Sequence, residues 1–84
     1  MQVRMEKERM IVDIHGLRVQ DAERRLLDWA AQAPTEIRQI VVIHGCNSGQ
    51  ALRDMVRALH APRIARVRPD FFNDGQTILE LKGS

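Results

Sequence analysis

Apolar positions along this chain switch between two spacings. Met10–Ile14 (M-I-V-D-I) and the run from about Gln39 to Ile43 are short and β-branched, and each predicts a strand. The continuous I-V-V-I of the second run predicts burial on both sides, as in a central strand. Between them, Val19, Ala22, Leu26, Trp29, Ala30 and Ala33 recur at three-and-four spacing, the mark of a helix with a single buried stripe. Asp21 and Glu23 sit in its first turn, where the helix dipole favours acids, and Pro34 stops it. Arg18 stands where a capping side chain is expected. A second helix is predicted from about Gly49 to Leu59, with Leu52, Met55, Val56 and Leu59 inward and Asn47 or Ser48 as its cap. Beyond Pro62, R-I-A-R-V-R alternates, which places Ala65 and Val67 on one face and Ile64, Arg66 and Arg68 on the other. A loop containing Pro69 and Asn73-Asp74-Gly75 leads to the last strand, T-I-L-E-L, ending near Leu81.

The order is βαβαββ. Parallel βαβ crossovers are right-handed, so both helices fall on the same side of the sheet. The expected fold is α/β, a two-layer sandwich with a four-stranded mixed sheet and two helices on one face. Residues 1–9, charged and without clear periodicity, are expected as a flexible N-terminal tail, with a short extension of the first strand as the alternative, and residues 10–82 as the domain. The uncovered sheet face would carry Arg66 and Arg68.

Composition narrows the class. Eighty-four residues make one small domain, and no apolar run approaches the roughly 18 residues of a membrane span. The start MQVRMEKERM lacks the apolar stretch of a signal peptide, and the single cysteine, Cys46, forms no internal disulfide; both point to the cytoplasm and away from a membrane. The formal charge is only +2. It is unevenly spread, however: Arg53, Arg57, Arg63, Arg66 and Arg68 share their stretch with one acid, Asp54. Arginine's planar fork suits phosphate, so the C-terminal half points to an anionic ligand or polymer, with a solvated charged surface as the plain alternative.

The tripeptide Ile-His-Gly occurs twice, at Ile14–Gly16 and Ile43–Gly45, each time after a predicted strand and before a predicted helix. Ligands of parallel α/β sheets bind beyond the carboxyl ends of the strands. If the two strands are neighbours, Asp13, His15 and His44 converge there beside Arg18 and Arg53. That set can bind a phosphodiester and move a proton: a histidine as general base or acid, with a carboxylate to orient it. The structural alternatives are turn histidines and an Asp13 that caps its own turn. Asp13, His15 and His44 are of metal-binding type, but their spacing is not diagnostic, so no metal site is assigned, divalent-metal dependence is left open, and no cofactor is expected. Phe71 and Phe72 are expected to anchor their loop on the sheet, with base stacking as the alternative. Cys46 reads as a filler, and His60 is assigned no function.

The pattern V-D-I-H-G, an amphipathic helix, V-V-I-H-G with a glycine-bearing loop and L-R, then T-I-L-E-L, resembles the Smr (small MutS-related) domain over about residues 10 to 81, in a stand-alone form. Asp13, His15 and Gly16 match its D-x-H-G motif. His44, Gly45, Gly49, Leu52 and Arg53 match its H-G-x-G-x-G-x-L-R motif, with Asn47 at the middle glycine and one extra residue before Leu52. The resemblance implies a βαβαββ fold like the C-terminal domain of bacterial translation initiation factor three. It also implies nucleic-acid binding and, in several members, endonuclease activity on branched DNA or on messenger RNA at stalled ribosomes. Nucleic acid, DNA or RNA, and the ribosome are therefore the implied partners. The expected catalytic residues are Asp13, His15 and His44. Gly16, Arg18, Gly45, Asn47, Ser48, Gly49, Arg53, Arg66 and Arg68 are the expected phosphate contacts. A non-catalytic RNA- or ribosome-binding module and a protein-interaction domain are the competing functions.

Overall fold

The computed structural model describes residues 2–45 and 50–83. Strands β1 (Gln2–Glu6) and β2 (Arg9–Asp13) are followed by helix α1 (Val19–Gln32), strand β3 (Gln39–Ile43), helix α2 (Gln50–Arg57), and strands β4 (Ile64–Pro69) and β5 (Gln76–Leu81). The sheet runs β1-β2-β3-β5-β4. β2 and β3 are parallel neighbours, whereas the β1–β2, β3–β5 and β5–β4 pairs are antiparallel. The β-branched run of β3 therefore occupies the middle strand, where Ile40, Val41 and Val42 are all buried.

Alternation along the strands sorts the two faces. Met10 and Val12, Ile40 and Val42, and Leu79 and Leu81 share one core with Ala22, Leu26 and Ala30 of α1 and Leu52 and Val56 of α2. Ile11, Asp13, Val41, Ile43, Ile78 and Glu80 occupy the face without helices. Burying a side chain such as Leu26 stabilises the fold by about 1.5–3 kcal/mol, so a thin core of this kind suffices for a chain of this size. Arg63 ties the layers together: its Nη1 donates to the carbonyls of Ala30, at 3.3 Å, and of Ala33, satisfying the exposed carbonyl end of α1.

Four expectations are corrected. The sheet has five strands, because Gln2–Glu6, read as tail, pairs along the whole of β2 through a tight turn at Lys7-Glu8. In that segment Val3 and Met5 alternate with Gln2, Arg4 and Glu6, a strand period masked by its charges. In β4, a bulge between Ile64 and Arg66 makes Ala65 the extra residue, so Ile64 joins Val67 on the helix side. The α1 stripe is narrower than its spacing suggests: Ala22, Leu26 and Ala30 are buried, Trp29 is half-buried, and Val19 is at the exposed rim. The second helix ends at Arg57, although Leu59 beyond it is still buried. Among the described residues, no helix is long and apolar enough to cross a membrane.

Candidate functional site at the parallel strand ends

The two Ile-His-Gly segments leave neighbouring strands side by side. Asp13 pairs with Ile43, and the Ile14 amide donates to the Ile43 carbonyl at 2.9 Å. Each strand then turns through a left-handed glycine, Gly16 at φ 82° and Gly45 at φ 85°, a conformation that costs other residues energy. The loop before β5 closes over them. Its Gly75 carbonyl accepts from the amides of His44, at 2.9 Å, and Gly45, at 3.1 Å.

Asp13 and His15 form a pair at this edge. One carboxylate oxygen, Oδ1, accepts from the His15 amide at 3.1 Å and from the His15 ring Nδ1–H. The acid thus closes its own turn and orients the imidazole at once, so the structural and chemical readings of Asp13 coincide. Burial pushes the Asp13 carboxyl up. Its ring and backbone hydrogen bonds to His15, with the charge of that ring, outweigh the burial and hold it below the ordinary carboxylate value. The His15 side chain remains 71% exposed, with Nδ1 engaged by Asp13 and Nε2 without a hydrogen-bond partner among the described residues.

His44 is placed otherwise. It is only 1% exposed, its Nδ1–H donates to the Gly45 carbonyl at 2.9 Å, and its Nε2 accepts from the Thr77 hydroxyl at 2.9 Å. Burial lowers its pKa, as do the charges of Arg57 and Arg53, against an opposing pull from the Gly45 carbonyl. A neutral ring with both nitrogens occupied supports the turn; it has no free atom for substrate. The strand ends thus bring Asp13 and His15 together as a hydrogen-bonded pair and set His44 into the wall behind them.

The expected phosphate contacts separate in the same way. Gly16, Gly45 and the exposed Arg18 lie at this edge, and Arg18 makes no side-chain cap to α1. Arg53, on α2, carries a charge that acts on His44, and its Nε lies 3.4 Å from Asp54 Oδ1. Arg66 and Arg68 are on the helix-free face as expected. Both are held by Glu80, at 3.1 and 2.8 Å, whose carboxyl sits below its ordinary range, chiefly through the Arg68 hydrogen bond. Their strand is three strands from β2, about 14 Å across the sheet, so they are not part of the Asp13–His15 pair. Asn47, Ser48, Gly49 and Cys46 lie outside the described residues.

Phe71 and Phe72 correct a further expectation: they do not pack on the sheet but stand in solvent, 83% and 99% exposed. Arg57, named above only within the arginine-rich stretch, adds its charge to that of Arg53 at His44, and Thr77 was not singled out from the sequence. A threonine in an apolar strand gives no local sign that a histidine far along the chain will seek it. Among the described residues, no three His, Cys, Asp or Glu side chains gather as metal ligands.

The Smr domain family model matches residues 12–82. Among solved structures, the Smr domain of Thermus thermophilus MutS2 aligns with a TM-score of 0.67 at 23% identity, covering 86% of this chain and 96% of that one. At that identity the likeness speaks to the fold. No curated protein matches the chain.

Proposed function

Since this chain belongs to the Smr domain family, we propose that it binds nucleic acid at the ends of β2 and β3 and cleaves a phosphodiester there. One observation carries the reading: His15 is held by Asp13 through Nδ1, while the side chain stays exposed. An imidazole oriented in this way is a general base. Its Nε2 takes the proton of the attacking oxygen, from water or from a ribose 2′-hydroxyl. That oxygen forms its bond to phosphorus as the bond to the leaving oxygen breaks, and the leaving oxygen is protonated from solvent. The carboxylate of Asp13 offsets the charge that develops on the ring. Arg53, together with Arg18, neutralises the phosphate. His44 shapes the Gly45 turn and touches no substrate.

The test incubates purified protein with structured RNA and with branched DNA, with and without EDTA. Cleavage by the unaltered chain and its loss in Asp13→Asn and His15→Ala are the expected results. Equal cleavage by all three would defeat the assignment.

A second reading is a non-catalytic RNA- or ribosome-binding module. It is favoured by the placement of His44, which leaves His15 as the exposed imidazole at this edge among the described residues. Binding that weakens with salt, without any turnover, distinguishes it.

A further inference from the structure

We propose that Phe71 and Phe72 are a stacking platform for unpaired bases next to the phosphate at Asp13–His15, which makes single-stranded or locally melted nucleic acid the substrate class. This rests on the nucleic-acid reading above.

Two adjacent phenylalanines at 83% and 99% exposure present a large apolar area to water, in a chain whose other aromatic residue, Trp29, packs against the core. The exposure is built in. The Phe72 amide donates to Asp70 Oδ1 at 2.9 Å, the Asn73 amide to the Asp70 carbonyl at 3.2 Å, and the Gly75 amide to Asn73 Oδ1 at 2.9 Å. Two consecutive side-chain-braced turns therefore hold the rings out and keep them from folding onto the sheet.

Their position supplies the ligand chemistry. Gly75, three residues beyond Phe72, is bonded to His44 and Gly45, and a Cβ placed on Gly45 would lie 3.9 Å from that of His15. Three residues span at most about 11 Å, so Phe72 lies within that reach of Gly75, and His15 stands one turn further on across Gly45, a path of several stacked nucleotides at about 3.4 Å each. A strand whose phosphate sits at His15 thus brings bases a few nucleotides further along to the rings. Bases in a duplex have their faces already covered, whereas unpaired bases stack on aromatic side chains without regard to sequence.

Fluorescence anisotropy with a short labelled single strand, as RNA and as DNA, and with a duplex of the same length, tests this. The unaltered protein should prefer the single strand. Phe71→Ala/Phe72→Ala should weaken single-strand binding about tenfold or more and leave duplex binding within about twofold, with an unchanged melting temperature because the rings pack on nothing. In Phe72→Trp, the added indole fluorescence should be quenched by the single strand beyond the change seen in Trp29 alone. The proposal is overturned if the double variant keeps full single-strand affinity, which would assign the rings to a protein partner, or loses both ligands equally. If the unaltered chain binds none of the probes at low salt, the nucleic-acid reading falls as well, an outcome distinct from the first two.

Discussion

His15 and His44 end adjacent parallel strands one residue out of step, and so lie on opposite sides of the sheet. Because Asp13 pairs with Ile43, His15 stands beside Gly45, and the neighbour of His44 is the fully buried Ile14. Successive side chains alternate between faces. A stagger of one is therefore enough to send one histidine to solvent and the other to the Thr77 hydroxyl in the core.

Replacing Asp13 by Asn keeps a hydrogen-bonding side chain of the same size but removes the charge that offsets an imidazolium. Cleavage should fall about 10²- to 10⁴-fold. Nucleic-acid affinity should stay within a few-fold, since Asp13 itself opposes phosphate. Single-turnover cleavage and anisotropy on the same substrate separate the two effects.

His44→Ala should act on stability instead. It opens a cavity and leaves the Thr77 hydroxyl without its partner, at a cost of about 2–4 kcal/mol. In a domain of this size that is a loss of roughly 10–25 °C in Tm by calorimetry.

The same residue sets a pH dependence. Its folded pKa lies below its unfolded value of about 6.5, so the unfolded chain binds the proton more readily. Stability is full above that value and declines as pH falls through it towards the folded pKa. Tm should drop as pH falls through about 6.5, and His44→Gln should flatten this slope. Asp13 acts in a separate window. With its folded pKa depressed, its contribution is present above about pH 4 and is lost only as pH falls through the folded value.

Gly16→Ala meets no steric obstacle, since nothing lies within 4 Å of the added carbon, but φ of 82° strains any L side chain. The expected cost is about 1–2 kcal/mol. Activity should suffer more than Tm indicates, because relaxing this turn moves His15 relative to Asp13.

Glu80→Gln tests the distant arginines. Freed from the shared carboxylate, Arg66 and Arg68 should raise nucleic-acid affinity several-fold and steepen the salt dependence of log K by about 1 to 2. Unaltered affinity and slope would show that these two side chains do not face the ligand.

Local chemistry was legible along the chain wherever it is local in origin. The β-branched runs became β2 and β3, the three-and-four stripes became α1 and α2, and the two His-Gly pairs became left-handed turns, because each depends on residues within a few positions of one another. The Asp13–His15 pair belongs to the same class: two residues apart, they meet through a turn that the aspartate itself closes. What no local pattern encodes is register. Whether Gln2–Glu6 is tail or strand depends on its pairing with β2, and the side chosen by Ile64 depends on a bulge defined only against β5. The division of labour between two identical Ile-His-Gly segments likewise follows from a one-residue offset between β2 and β3. Local sequence thus specified the turns and the groups that could carry chemistry. Strand pairing, a property of residues far apart in the chain, decided which histidine faces solvent and which one is buried against Thr77.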